Sequence, residues 1–250
     1  MKKLLLILLA TLCILGTQTR RANADPIPDY NVTLNYEPGY VYTLGSYTYS
    51  DPSQGYTETV SALANDGDPS VEAYGSSPVE GINSGYGFYD TAALGYYLLV
   101  VGGTPGANVG LVLNASSTDS ILNLGTPNYN TTVDSSFEVW QGGYSPLFQE
   151  TGDANSGGFT VSNYNLSVKS GDLITVDLNT NMTLADQGSA DATVDPTFTL
   201  APGYAAQGYS LMYSSGLAPG SPSPTPEPCT ILLVGLGSAA CLARRRLMGR

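Results

Sequence analysis

Hydrophobic and polar residues alternate in short segments along most of this chain, and Gly, Pro, Asn, Asp and Ser interrupt the segments. Alternation with period two is typical of β-strands that bury one face, whereas residues 25–216 lack the period of an amphipathic helix. The pattern predicts strands at 31–36, 40–44, 47–49, 56–62, 95–101, 109–115, 121–124, 137–141, 159–161, 165–168, 173–178, 193–200 and 209–213. Many short strands of this kind predict an all-β fold, an antiparallel and jelly-roll-like β-sandwich, as one domain over residues 25–216.

Two segments allow a finer prediction. Leu166 and Val168 alternate with polar residues before the turn at 169–172, and alternation resumes from Ile174 to Leu178, so this segment predicts a β-hairpin. Residues 95–101, in contrast, are almost continuously apolar, which is typical of a central strand.

The amino terminus has the organisation of a secretory signal peptide. Lys2 and Lys3 precede an apolar run at 4–16, whose helix of about 20 Å is shorter than the ~30 Å hydrocarbon core of a bilayer. Ala22 and Ala24 then form a small-x-small cleavage site. We predict a signal helix at 1–24 with cleavage after Ala24, and the alternative is a retained amino-terminal anchor.

The carboxyl terminus has three parts in a fixed order. A Pro/Ser linker at 217–228 precedes an apolar run at 229–243, and a cluster of arginines follows. The apolar run makes about 22 Å of helix, a marginal length for a transmembrane helix. Because cationic flanks remain cytoplasmic, the order predicts that residues 229–250 hold the preceding domain on the side of the membrane away from the cytoplasm.

This tail resembles the PEP-CTERM sorting signal of Gram-negative bacteria, also called the ice-binding protein C-terminal domain. The residues that carry the resemblance are Pro226, Glu227, Pro228, Arg244, Arg245 and Arg246. The resemblance implies a specific partner, the membrane protease exosortase, which cuts such tails. It also implies a precursor tethered to the inner membrane, and then a product at the cell surface or in the extracellular matrix. It implies no biochemical activity.

The charges exclude several classes of protein. Between residues 25 and 226 the chain has 20 acidic residues and one basic residue, Lys169, which gives a formal charge of −19. Nucleic-acid binding is excluded because it depends on Lys and Arg that neutralise phosphates. The chain has no histidine, which excludes a Ser-His-Asp triad and a His-ligated zinc site. Since the same region has no cysteine, it must rely on a hydrophobic core rather than on disulfides.

Two groups of acidic residues are candidate Ca²⁺ ligands. Asp66 and Asp68 lie in an Asn-Asp-Gly-Asp segment, and oxygen ligands on a loop suit Ca²⁺. The alternative, which the spacing of the following residues favours, is an ordinary turn rich in Asn, Asp and Gly. Asp186, Asp191 and Asp195 form a second group with the same two interpretations. We therefore predict no cofactor and no assigned metal site.

Paired carboxylates would be needed for glycoside hydrolysis. The sequence offers Glu80, Asp90, Glu138 and Glu150, but it does not show which of them face each other. We therefore predict no catalytic residues and a protein that is not an enzyme.

Tyrosine is the most informative residue type, with 18 Tyr against 5 Phe. Tyr40 with Tyr42, and Tyr47 with Tyr49, are two residues apart, so each pair shares one face of a strand. Such faces could stack on sugar rings, and the alternative is that these tyrosines cover the edge of the core. Trp140 is interpreted as a core or rim residue.

Regularly spaced threonines would be expected of an ice-binding surface, but Thr57 with Thr59 and Thr197 with Thr199 are isolated pairs. The leading functional expectation is an exported, non-enzymatic protein of the cell envelope or matrix with a structural or interaction role. The alternative is a module that binds carbohydrate, in particular exopolysaccharide, and an enzyme acting on glycosides comes third.

Overall fold

The computed structural model describes residues 27–215 and 217, apart from 37–38, 53–54, 66–67, 79–87, 124–130, 144 and 185–186. Among the described residues, no helix has the length and apolar character needed to cross a membrane. The predicted signal helix, linker and carboxyl-terminal apolar helix lie outside the described residues. So do the residues assigned to signal cleavage and sorting, Ala22, Ala24, Pro226, Glu227, Pro228, Arg244, Arg245 and Arg246.

The described residues form thirteen β-strands and one short 3-10 helix, Ala205–Gln207. The strands are β1 (Asn31–Tyr36), β2 (Gly39–Val41), β3 (Gly45–Asp51), β4 (Tyr56–Asn65), β5 (Asp68–Ser77), β6 (Phe88–Gly102), β7 (Asn108–Asn123), β8 (Thr132–Trp140), β9 (Phe148–Asp153), β10 (Thr160–Lys169), β11 (Leu173–Leu184), β12 (Gly188–Leu200) and β13 (Tyr209–Tyr213). Each pairing between them is antiparallel.

The strands form two sheets. In the described residues, sheet A has the order β2-β1-β6-β11-β8-β9, and β13 pairs with β6 beyond the end of β1. Sheet B has the order β10-β7-β12-β5-β4-β3. The predicted antiparallel β-sandwich is therefore confirmed at the level of two packed antiparallel sheets.

The core lies between the sheets because alternate residues of each strand point toward the opposite sheet. In β11, every second residue from Ile174 to Leu184 is buried, while the residues between them are less buried or exposed. Phe137 of β8 is fully buried and contacts Phe148 of β9 and Phe198 of β12, with ring centroids 5.4 Å and 6.3 Å away. This aromatic group connects the two sheets, since β8 and β9 belong to sheet A and β12 to sheet B.

The predicted hairpin around residues 169–172 is wrong, although both of its strands are present. β10 pairs with β7 in sheet B, whereas β11 pairs with β6 and β8 in sheet A. The turn is therefore a crossover between sheets, and Gly171 within it has a φ of 92° and donates its N–H to the carbonyl of Val100. Alternation predicted correctly that Leu166 and Ile174 are buried, but it does not specify the strand with which each strand pairs.

Other predicted strands differ mainly in length. The segment at 95–101 is part of β6, which has neighbours on both sides, so the prediction of a central strand is confirmed. The strand predicted at 40–44 ends at Val41. The segments at 159–161 and 165–168 form one strand, β10, with a bulge between Val161 and Tyr164. β5 and β9 have no counterpart in the prediction.

Candidate functional site

The outer face of sheet A carries the most exposed aromatic pair of the described residues, Tyr40 and Tyr42. They are 63% and 65% exposed, and their rings stack nearly parallel, with centroids 6.4 Å apart and an interplanar angle of 7°. Tyr40 is directly opposite Asn35 of β1, whose neighbour Leu34 is buried on the inner face. The two rings therefore present an aromatic surface on the solvent side of the sheet.

Tyr47 and Tyr49 of β3 are placed differently. Tyr47 is partly buried and lies 6.1 Å from the ring of Tyr36, and its hydroxyl is 2.7 Å from the hydroxyl of Thr43. Tyr49 lies 5.9 Å from the ring of Tyr56. These rings pack against neighbours at the edge of the core, so the two predicted pairs have different environments.

A third exposed tyrosine, Tyr89 of β6, lies on the same outer face and is 57% exposed. Its hydroxyl donates a hydrogen bond of 3.3 Å to the Asn181 side chain, and its carbonyl accepts one from the Asn35 side chain, also 3.3 Å. Thr91 donates to the same Asn181 oxygen at 3.1 Å, and the Asn181 amide donates to Asp134 at 2.9 Å.

These polar side chains form a single row across the sheet. Strand register aligns Tyr40 of β2, Asn35 of β1, Thr91 of β6, Asn181 of β11, Asp134 of β8 and Asp153 of β9. We call this set the polar row. With adjacent strands about 4.8 Å apart, the five intervals from β2 to β9 span roughly 24 Å. The row therefore has the length of an extended ligand rather than that of a single small molecule.

Small side chains lie beside the polar row, toward the middle of the face. The next aligned set contains Thr33, Ala93, Asn179, Ser136 and Thr151. Beyond this set, aromatic residues return, because Tyr97 of β6 and Trp140 of β8 both flank Thr175 of β11. The face therefore has small side chains in its middle and aromatic residues on both sides. Trp140 is a partly buried residue at the rim of this face.

Two carboxylates are directly opposite each other on this face. Asp177 of β11 pairs in register with Glu138 of β8. Glu138 accepts hydrogen bonds from the Trp140 indole at 3.0 Å and from the Gln149 amide at 2.8 Å. Asp177 lies over Gly95, at which a Cβ atom would be 3.0 Å from the Asp177 carboxylate. Although Asp177 remains largely exposed, partial loss of hydration raises the pKa of its carboxyl, and the charge of Glu138 raises it further.

Asp119 is the clearest buried acid whose surroundings are described. It is 1% exposed, on the inner face of β7, and its Oδ2 accepts a hydrogen bond of 2.6 Å from the Ser135 hydroxyl. Its Oδ1 is also buried and has no hydrogen-bond partner among the described residues. Burial raises the pKa of Asp119, the bond from Ser135 lowers it, and the charges of Asp134 and Asp153 raise it again.

The raised pKa of Asp119 predicts a contribution to the stability of the fold that is lost as the pH rises. Unfolded Asp119 has its ordinary pKa of 3.8, and the folded pKa is higher. The stabilisation by neutral Asp119 is fully present below the unfolded pKa of 3.8 and is lost as the pH rises through the folded pKa, because ionisation of the folded chain requires a buried charge. The contributions of Asp177 and Asp191 to stability have the same pH dependence, because burial also raises their pKa values. The charges of Glu72 and Asp119 add to the shift of Asp191.

The variant Asp119→Asn cannot ionise, so its melting temperature should fall less than that of the wild type as the pH rises from 3.8 through the folded pKa of Asp119. The readout is the difference in slope, because the new amide also changes stability at every pH. The contribution of Asp153 to stability has the opposite pH dependence, since hydrogen bonds from Ser156 and Asn155 lower its pKa. Because the charge of Asp153 also raises the pKa of Asp119, the control is Asp172→Asn, at the exposed turn between β10 and β11. Parallel wild-type and Asp119→Asn curves would contradict the assignment.

The remaining acidic candidates are not brought together. Asp68 begins β5 opposite Asn65, while Asp66 and Asp186 lie outside the described residues. Asp191 and Asp195 share the outer face of β12, on sheet B. Within the described part of the chain, no three acidic or cysteine residues form a group that could hold a metal ion.

The candidate glycosidase carboxylates are also separate. Asp90 is buried, next in β6 to the outward-facing Thr91, so it points between the sheets. Glu138 lies on the outer face of sheet A, Glu150 is exposed on the edge strand β9, and Glu80 lies outside the described residues. The partner that the structure gives to Glu138 is Asp177, which the sequence did not single out.

The threonine pairs also differ in position. Thr57 and Thr59 of β4 bond through their hydroxyls to Ser50 and Thr48 of β3, both at 3.0 Å, whereas Thr197 and Thr199 are on β12. β5 separates β4 from β12, so the pairs do not form one array.

The fold and the outer face of sheet A define a β-sandwich protein with an exposed aromatic and polar sheet face. No protein-family model matches the chain, and no curated protein matches it. Several solved structures are similar over part of it, among them the three described next. TmCBM61 in complex with β-1,4-galactotriose has 9% identity and a TM-score of 0.22, over 67% of this chain and 91% of that chain.

The enzymatically active domain of bacteriophage CBA120 tailspike protein 4 has 13% identity and a TM-score of 0.23, over 70% of this chain and 20% of the tailspike chain. The infectious bursal disease virus Gx strain structure has 11% identity and a TM-score of 0.16, over 84% and 71% of the two chains. At these TM-scores, none of the three supports an argument about function.

Proposed function

We propose that this protein is a non-catalytic β-sandwich that binds carbohydrate through the outer face of sheet A. The observation that carries the proposal is the exposed parallel pair of Tyr40 and Tyr42 at one end of the polar row. A sugar ring has C–H groups on its faces and hydroxyls at its edges. It can therefore stack on an aromatic ring while its hydroxyls form hydrogen bonds with side chains beside it.

The polar row supports the same proposal. Asn35, Thr91 and Asn181 have groups that both donate and accept hydrogen bonds, as sugar hydroxyls do. Their hydrogen bonds to each other and to Tyr89 hold them in position before a ligand binds. The small residues Ala93 and Ser136 beside the row leave room for a chain that lies across the strands. Preorganisation of this kind favours binding because fewer side chains lose freedom when the ligand arrives.

A binding role rather than catalysis is supported by the separation of the glycosidase carboxylates that the sequence offered. Of the candidate glycosidase acids, Asp90 points between the sheets and Glu138 points to solvent. The lack of histidine in the chain excludes the usual general base. We therefore keep the proposal that the protein is not an enzyme.

The test of the binding function is a glycan array probed with the full-length chain purified in mild detergent. We expect reproducible binding to polysaccharides or their oligosaccharides. A lack of binding to every glycan on the array would reject the proposal and leave a purely structural role in the envelope.

We also propose that the sandwich is exported and sorted to the cell surface or matrix, where exopolysaccharide would be its ligand. The support is the sequence alone, a signal peptide at 1–24 and the linker, apolar and arginine segments at 217–250. Exosortase is the proposed processing partner. Mass spectrometry of the surface fraction should find peptides that end near Pro228, and intact peptides through Arg250 there would contradict processing.

The finer description of the fold as jelly-roll-like is likewise a proposal. It is supported by the strand order β5-β12-β7-β10 in one sheet and by the position of β6 between β13 and β11 in the other. Successive strands β6 and β7, β10 and β11, and β12 and β13 belong to opposite sheets, as in double-sheet jelly rolls.

A further inference from the structure

We infer that the outer face of sheet A prefers a polysaccharide whose sugars carry primary ammonium groups, such as a polymer of amino sugars with free amines. The inference rests on the proposed carbohydrate-binding function and specifies the charge of the ligand.

The outer face of sheet A is negatively charged. Its carboxylates are distributed among the polar and aromatic residues, at Asp134, Asp153, Asp177 and Glu138. The only basic residue between positions 25 and 226 is Lys169, which ends β10 in sheet B. A uronate or sulfated polysaccharide would meet only like charge on this face, whereas a cationic one would meet complementary charge.

The Asp177 carboxylate lies opposite another carboxylate and has no donor within the described structure to balance its charge. Among the described residues it accepts no hydrogen bond, and its charged neighbour in the register is Glu138. Like charges directly opposite on adjacent strands destabilise a sheet. An ammonium group placed between the two carboxylates would remove this repulsion and supply hydrogen-bond donors to both.

The Glu138 carboxylate has a fixed orientation. The Trp140 indole and the Gln149 amide each donate to one of its oxygens, so the carboxylate is held in place before a ligand binds. Trp140 and Tyr97 flank Thr175 in the row next to Asp177. Aromatic rings beside a pair of carboxylates suit a cationic sugar, because the ring attracts the ammonium group as well as the C–H face.

The acid pair and the tyrosine pair are at different places on the same face. Asp177 is four residues from Asn181 of the polar row along β11, roughly 13 Å at about 3.3 Å per residue. A ligand that reaches both must be a polymer, and it would cross the strands obliquely. The proposed ligand is therefore a cationic polysaccharide rather than a free amino sugar.

The experiment compares oligosaccharides of glucosamine, N-acetylglucosamine and a uronic acid, matched in length, for binding to the full-length chain in mild detergent. The glucosamine oligomer should bind at least about 10-fold more tightly than the acetylated one, and the uronate should not bind detectably. The preference should decrease as salt is raised, because the charges are close to solvent. Calorimetry measures the three affinities.

Asp177→Asn should reduce the preference for glucosamine to about 3-fold or less, because Glu138 and Asp134 remain. Asp172→Asn, at the exposed crossover between β10 and β11, is the matched control and should leave the preference unchanged. Since Asp177→Asn removes a repulsion, its melting temperature should not fall, so a loss of binding cannot be due to unfolding.

Equal binding of the free and acetylated oligomers by the wild type, or by the control Asp172→Asn, would overturn this inference but leave the proposed carbohydrate binding intact. A preference that persists unchanged in Asp177→Asn would also overturn it. Calcium chloride that raises the melting temperature of the wild type but not of Asp177→Asn would identify the pair as a cation site and overturn it as well. Failure of all glycans to bind would instead reject the proposed function.

Discussion

Gly158→Ala is expected to lower the free energy of unfolding by about 3 kcal/mol or more, enough to lower the melting temperature by roughly 6–12 °C. Gly158 has a φ of 95°, a conformation that costs any other residue free energy. In addition, a Cβ atom at this position would overlap the carbonyl of Ser117 and lie 2.8 Å from its hydroxyl oxygen. Thermal or urea unfolding measures the change.

The overlap cannot be relieved by moving a flexible side chain. Ser117 belongs to β7, and its N–H donates to the carbonyl of Phe159 at 2.9 Å, while its hydroxyl accepts from the N–H of Phe159 at 2.8 Å. On the other side of the glycine, the N–H of Asp119 donates to the carbonyl of Gly157 at 3.5 Å, so the segment after β9 is held against β7 on both sides of Gly158. Any shift that accommodates the new methyl group must break one of these hydrogen bonds.

Gly157→Ala is the matched control for this prediction. Gly157 also has a positive φ, 72°, but a Cβ atom there would have nothing within 4 Å. Gly157→Ala should lower the free energy of unfolding only by the cost of the strained backbone, about 1–2 kcal/mol. Equal destabilisation by the two variants would contradict the close packing of this connection against β7.

The second large effect concerns binding. Replacing both Tyr40 and Tyr42 with alanine is expected to reduce affinity for the bound glycan by roughly 30-fold or more, which corresponds to about 2 kcal/mol. The two rings form one stacked surface, so their removal eliminates the aromatic platform at the end of the polar row. Because both side chains are largely exposed, the melting temperature should change little. Isothermal calorimetry with the best glycan from the array measures the affinity.

Tyr74→Ala is the control for the tyrosine variant. Tyr74 lies on the outer face of sheet B, between the buried residues Ala73 and Gly75, so it is on the opposite side of the sandwich. Its replacement should leave the affinity within about 2-fold of that of the wild type. If the Tyr40 and Tyr42 variant binds normally, or if Tyr74→Ala loses affinity equally, the binding face has been placed on the wrong sheet.

Most strands could be predicted because alternation along the chain reflects which side chains are buried. β11 is the clearest case, since the residues from Ile174 to Leu178 alternate as expected. β5 and β9 could not be predicted in this way. The segment of β5 begins with Asp68 and contains Pro69 and Gly75, residue types that disfavour strands. β5 nevertheless pairs on both sides, with β4 and β12, which outweighs its local propensity.

The candidate site was predictable only in part. Tyr40 and Tyr42 stood out because two residues of separation place side chains on one face of a strand. The same rule selected Tyr47 and Tyr49, which pack at the edge of the core, and nothing in the local sequence distinguishes the two pairs. Asp177 carried no signal at all, because its importance comes from its position opposite Glu138 on another strand.

By itself, the sequence determined the strand-rich character of the domain, the buried side of most strands and the negative charge of any surface it could form. Each of these depends on composition or on nearest neighbours along the chain, since pleating fixes the alternation locally. The tertiary structure alone decided which strands pair and hence which side chains form the polar row. Thr91 and Asn181 are 90 residues apart, and Asn181 and Asp134 are 47 apart. Contacts at such separations follow from how the whole chain closes its core, which no local pattern specifies.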